Sequence, residues 1–178
     1  MFKQCLVFST GVLFSVSSYA LTLSSQSIKN NELIKSDFIC SAQQGGNQSP
    51  QLSWQDVPKG TQSLLLVVQD PDAAKPRGYV HWIVYIDDAT TSELRLNQKP
   101  SAKEDFVFGM NDNHTNDYIG PCPPKGSGVH HYHFILYALN TRISKAAAIK
   151  MSFQDFQNQM QGNVIEKAEI TGLYKHAY

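Results

Sequence analysis

The run Ser63-Leu64-Leu65-Leu66-Val67-Val68-Gln69 sets five apolar side chains in succession, between Lys59-Gly60 on one side and Asp70-Pro71 on the other. Successive side chains of a strand point to opposite faces. A run that is apolar at every position therefore needs cover on both faces, as a central strand has. Tyr79–Ile86 and residues 132–139 are two further runs rich in aromatic and β-branched residues. Three such segments predict an all-β dominated domain built around a doubly covered sheet. Leu21-Thr22-Leu23 and residues 165–174 read as outer strands near the two ends. Turn chemistry falls at Asn47 to Pro50, at Val57-Pro58-Lys59-Gly60 and at Pro100-Ser101.

One helix is well specified. Ser152 with Asp155 three residues on makes a start like a capping box, and Met151 with Phe156 can form the hydrophobic staple. Phe153, Phe156 and Met160 share one face, and Gly162 supplies the stop. That apolar stripe is suited to packing on the sheet. Residues 144–149 read as a shorter helix. No repeat, linker or low-complexity tract divides the chain, so residues 21–178 are read as one domain.

The first 20 residues differ from the rest. Lys3, an apolar run from Leu6 to Val16, and small residues ahead of a cut after Ala20 have the pattern of a secretory signal peptide. The run is short of the roughly 20 residues that span a bilayer. Cleavage leaves 158 residues with 14 basic and 15 acidic side chains, a net charge of −1. Near-neutral charge without a basic stripe argues against nucleic acid or an anionic membrane surface as partner. The expected location is periplasmic or secreted, with no stable membrane insertion after the cut. Removal of Cys5 leaves Cys40 and Cys122, an even pair in an oxidising compartment. They form either a disulfide or two buried thiols.

The chemistry gathers late in the chain. Tyr118-Ile119-Gly120-Pro121-Cys122-Pro123-Pro124-Lys125-Gly126 is a stiffened loop, because each proline fixes its own φ and restricts its predecessor. Such a loop suits the presentation of N–H groups to an anion. It feeds His130-His131-Tyr132-His133, where the period of two places His130 and Tyr132 on one face and His131 and His133 on the other. The second pair has the H-x-H form that could serve zinc if His81, His114 or Asp117 supplied a third ligand. Asp70-Pro71-Asp72 ends the apolar run, and its carboxylates either shape a turn or emerge at the sheet rim. His81 inside its own apolar run is either a satisfied core residue or a pocket residue. A serine hydrolase is disfavoured: G-x-S-x-G is missing, and Gly126-Ser127-Gly128 has no strand-to-helix context.

Together these segments resemble the phosphatidylethanolamine-binding protein family, in particular its bacterial Raf-kinase-inhibitor-like branch. Asn47-Gln48-Ser49-Pro50-Gln51-Leu52-Ser53-Trp54 looks like N-x-S-P-x-L-x-W, and Asp70-Pro71-Asp72-Ala73 like the start of D-P-D-A-P. His81-Trp82 matches part of W-H-W, Gly109 to Asp112 matches G-x-N-D, the 118–126 loop matches Y-x-G-P-x-P-P-K-G, and His130-His131-Tyr132 matches H-R-Y. Three positions depart: Ala74 stands for a proline, Val80 for an aromatic, and His131 for an arginine with its bidentate donors.

The resemblance implies a β-sandwich of one large mixed sheet and one smaller sheet, with a C-terminal helix beside an anion pocket. It carries Asp70, His81, His130 and Tyr132 into that pocket, with Asp72 close by and the backbone of Gly120, Pro121 and Cys122 as a wall of donors. Asp70 would fix a histidine tautomer or meet an ammonium group, and the histidines would donate when protonated. The implied function is non-enzymatic binding of a small phosphorylated or carboxylate anion, such as phosphoethanolamine, without a cofactor. A protein partner is also in view. The alternatives are an extracytoplasmic protease inhibitor and a hydrolase using a metal or the Asp70/His130 pair.

Overall fold

A computed structural model of the protein describes residues 20–101 and 105–176. The predicted signal peptide lies outside the described residues as far as residue 19. Six strands form the large sheet, in the order β2 (Glu32–Leu33), β9 (Val164–Tyr174), β8 (His130–Leu139), β4 (Ser63–Asp70), β5 (Tyr79–Ile86), β7 (Phe106–Phe108). A smaller sheet has the order β1 (Thr22–Ser24), β3 (Leu52–Gln55), β6 (Glu93–Leu94). Among the described strand pairs, β2 with β9 is parallel and the others are antiparallel. The large sheet is thus mixed, as expected.

Double cover explains the continuous apolar runs. Leu64, Leu66 and Val68 of β4 pack with Leu23, Leu52 and Trp54 of the smaller sheet. Leu65 and Val67, on the opposite face, meet Phe153, Phe156 and Met160. Each such aliphatic side chain, fully removed from water, contributes roughly 1.5–3 kcal/mol. The three apolar residues belong to helix α2 (Phe153–Met160), which has the capping box: Ser152 Oγ accepts from Asp155 N, and Asp155 Oδ2 accepts from Ser152 N at 2.9 Å. A shorter helix, α1 (Lys145–Ala148), is capped by Ser144. Both precede β9, so the helical layer lies near the C terminus but a strand ends the fold.

β9 departs from the reading of an outer strand. It pairs along its length with β8 and by two residues with β2, so it is flanked on both sides near its end. Its first half is largely exposed. That exposure is why its sequence looks peripheral.

A bulge in β5 positions the site. Val68 pairs with Trp82, and Gln69 with Val80, so His81 is an extra residue with no partner across the ladder. Alternation from Ile83 and Tyr85 would have put His81 on the helix side. The bulge moves it to the sandwich side, while Val80 takes the helix side.

Candidate functional site

Asp70, His81, His130 and Tyr132 converge at one end of the sandwich and line a cavity of about 390 Å³. Ala73, Ala74, Lys75, Tyr79, Asn113, Ile119 and the 122–124 backbone complete its walls. His130 and Tyr132 share the inner face of β8, and the bulged His81 lies edge-on to Tyr132 with ring centroids 5.2 Å apart. His130 Nδ1 stands 2.7 Å from Asp70 Oδ2, with both residues only 3 % exposed. The carboxylate accepts, so this nitrogen carries the hydrogen and Asp70 sets the tautomer.

The remaining groups are more tightly committed than the sequence implies. Asp70 Oδ1 accepts from Asp72 N at 2.9 Å, so the carboxylate serves the turn as well as His130. Both of its oxygens are thus engaged within the protein. His81 Nδ1 donates to the Ile119 carbonyl at 2.9 Å, which leaves Nε2 an acceptor in the neutral ring. Burial lowers the His81 pKa, outweighing the Ile119 carbonyl and Asp70, which act the other way. Burial thus favours the neutral ring, in which Nε2 accepts. Tyr132 is pushed up by burial and by Asp70 and stays a neutral phenol. Its hydroxyl lies near Asp70 and the Cys122 backbone but is buried with no hydrogen-bond partner among the described residues.

The 118–124 loop is fastened from behind. Tyr118 Oη donates to Phe38 O at 2.8 Å, Cys40 N to Pro121 O at 3.0 Å, and Gln43 Nε2 to Pro123 O at 2.7 Å. A disulfide joins Cys40 to Cys122. A Cβ on Gly120 would sit 2.3 Å from Phe38 O, so the close approach requires glycine there.

Three expected site residues serve this scaffold instead of the cavity. Gly120 N donates to Asn47 Oδ1 at 2.8 Å, and Pro121 has no N–H, so neither offers a donor to a ligand. Since Pro123 and Pro124 also lack N–H groups, Cys122 carries the remaining N–H of this wall, beside the Tyr132 hydroxyl. Asp72 faces the other side of β8, where it accepts from His131 N and Nδ1, each at 2.8 Å. Those hydrogen bonds hold the Asp72 carboxyl below its ordinary range.

The H-x-H pair does not converge on a shared site. His131 bonds to Asp72 and His133 to Glu169. No group of three or more His, Cys, Asp or Glu among the described residues could hold a metal ion.

Sequence reasoning missed Lys75, Asn113 and the importance of Ser127. Lys75 sits at the cavity rim, 4.4 Å above the Tyr79 ring and 3.9 Å from Asp112. Its signal was the altered loop after Ala73. Asn113 holds Tyr79 Oη at 3.0 Å, on a turn organised by buried Asn111. Ser127 Oγ lies 2.9 Å from His130 Nε2. Its position three residues before His130 was legible, but its contact was not.

A family model described as phosphatidylethanolamine-binding protein matches residues 24–175. A UPF0098 protein of Aquifex aeolicus is 39 % identical over 166 residues, covering 92 % of this chain and 93 % of the relative. The crystal structure of Escherichia coli YbcL, called a new member of the mammalian PEBP family, has a TM-score of 0.81 and 33 % identity. That match covers 89 % of this chain and 99 % of YbcL. A carboxypeptidase Y inhibitor, solved with its cognate proteinase, shares the fold alone, with a TM-score of 0.56 and 20 % identity over 89 % of this chain and 83 % of its own.

Proposed function

Since the chain belongs to the phosphatidylethanolamine-binding protein family, we propose that it is a binding protein whose cavity captures a small oxyanion, a phosphate monoester or a carboxylate. The observation that carries this reading is the Tyr132 hydroxyl, buried beside the cavity without a partner. An unpaired buried donor costs free energy that a ligand oxygen would recover. Cys122 N–H offers a second donor, and Lys75 at the rim adds a positive charge that draws anions inward. The neutral His81 Nε2 is an acceptor, which suits a ligand that brings a hydrogen of its own. A monoprotonated phosphate monoester, free or as the headgroup of phosphatidic acid, meets both demands where sulfate cannot.

We also place the protein outside the cytoplasm. Lys3 with the apolar segment after it supports that location, as does a disulfide that an oxidising compartment would preserve.

The test is titration of isotopically labelled protein with inorganic phosphate, O-phosphorylethanolamine and sulfate. Amide shifts should concentrate at residues 122 and 132 and near His81. Tyr132→Phe removes one hydrogen bond to a charged acceptor, worth about 1.5–3 kcal/mol, and should weaken binding roughly 10- to 100-fold. Binding unchanged in that variant would overturn the site assignment. Vesicles containing phosphatidic acid, compared with the soluble monoester, separate the two sources of the same chemistry.

A further inference from the structure

Anion capture makes no use of the Gly126-Ser127-Gly128 turn. Ser127 Oγ lies 2.9 Å from His130 Nε2, and His130 Nδ1 lies 2.7 Å from Asp70 Oδ2. The Asp72 N–H, 2.9 Å from Asp70 Oδ1, orients the carboxylate in turn. A hydroxyl, an imidazole and a buried carboxylate thus form one chain of hydrogen bonds, in the order nucleophile, base and orienting acid. Because Nδ1 donates to Asp70, the neutral ring presents its lone pair at Nε2, toward the hydroxyl.

Burial is graded along this chain. Asp70 and His130 are buried, whereas Ser127 is exposed at the tip of its turn. The flanking glycines hold left-handed backbone, φ 80° at Gly126 and 94° at Gly128, and Ser127 N donates to Pro124 O at 3.2 Å. Ser127 Oγ is also 2.8 Å from Pro124 O, a second acceptor for its single hydrogen. Turning that hydrogen from Pro124 O to Nε2 is a rotation about the Cβ–Oγ bond and moves no heavy atom.

We propose that Ser127 is a nucleophile served by His130 as base and Asp70 as positioning residue, and that the site hydrolyses small carboxylic esters. Ser127 Oγ bonds to the ester carbonyl carbon while its proton passes to His130 Nε2. The tetrahedral oxyanion then accepts from Tyr132 Oη and Cys122 N–H, the donors of the adjoining cavity. The carbon–oxygen bond to the alcohol breaks, and His130 returns its proton to the departing alkoxide. Water repeats the sequence on the acyl-serine, which frees the acid and restores the hydroxyl. Ala73, Ala74, Ile119 and Pro123 give the cavity apolar walls, and its volume of about 390 Å³ suits a short acyl chain. The carboxylate product is itself an oxyanion of the class proposed above for the cavity.

The test uses the purified protein with a fluorophosphonate probe and, separately, p-nitrophenyl acetate. One covalent adduct should form and map to Ser127. Ester turnover above the buffer blank should fall roughly 100-fold or more in Ser127→Ala, the range of general acid–base catalysis. Ser127 is exposed, so the variant should fold and keep the phosphate-induced shifts at residues 122 and 132. Absence of both adduct and turnover in the parent protein overturns the proposal, as does their persistence in Ser127→Ala. Unchanged phosphate binding in Tyr132→Phe, by contrast, overturns anion capture and leaves the Ser127 adduct as the separate test of the nucleophile.

Discussion

Strand β8 carries three histidines, and its two faces treat them differently. On the inner face His130 is bonded to Asp70, with both side chains 4 % exposed. On the outer face His131 is bonded to Asp72 with side chains 49 % and 41 % exposed, and His133 to Glu169 in a partly exposed pair. The contact types are the same, and the Asp70 and Asp72 pairs even come from one turn. Water decides what each is worth. Screened pairs on a surface contribute about 0–1 kcal/mol, whereas removing one partner of a buried pair costs about 3–5 kcal/mol because the other is left uncompensated. The same chemistry is therefore a working element inside and a solvated ornament outside.

The largest expected effect concerns the loop that closes the inner face. Reducing Cys40–Cys122, a bridge across a sequence separation of 82, should lower stability by on the order of 4 kcal/mol in the chain-entropy model. Denaturant unfolding with and without reductant measures this. If the cost falls below about 1 kcal/mol, the inner face does not depend on its covalent tether.

The next contrast is direct. Asp70→Ala should cost about 3 kcal/mol or more, and Asp72→Ala about 1 kcal/mol or less, by the same unfolding assay. The Asp72 contribution has a definite pH sign. Its carboxyl is lowered from an ordinary value of 3.8 by the hydrogen bonds from His131. That small stabilisation is present above 3.8 and lost as pH falls through the lower native value. Equal costs for the two variants would erase the distinction between the faces.

The smallest effect sharpens the inner face by titration. Burial lowers the His81 pKa below its ordinary 6.5, so over a range below 6.5 the unfolded chain takes a proton that the native ring resists. Stability should be full above 6.5 and decline as pH falls from there toward the lowered native value. One proton contributes at most about 1.4 kcal/mol per pH unit. Comparing unfolding at about pH 7.5 and about pH 5.5, His81→Gln should show less decline than the parent protein. An undiminished decline would mean that His81 is not the buried neutral group described.

Legibility followed locality. The runs over β4 and β5 and the capping box of Ser152 and Asp155 were readable because each is judged within a few neighbouring residues. The separation of His130 and Tyr132 from His131 and His133 was readable for the same reason, since β8 is regular there and period two holds. The site chemistry was legible mainly through a resemblance in ordered motifs, and part of it was misplaced. Asp72 went to the outer face because a turn rotates successive carboxylates apart. Gly120 lost its donor to Asn47, 73 residues away in sequence.

By itself, then, the sequence determined a β-dominated domain with both faces of its central strands covered, a capped helix on one side, and a stiff loop leading into a two-faced histidine strand. The tertiary structure decided which of these groups could act together. A bulge opposite Val68 and Gln69 turned His81 across the sheet, and a distant asparagine consumed a loop N–H. A turn serine came to rest on His130. The physical reason is that apolar periodicity reports what each segment must bury. Hydrogen-bond partners and strand register depend instead on which segments meet, and no local window of sequence contains that.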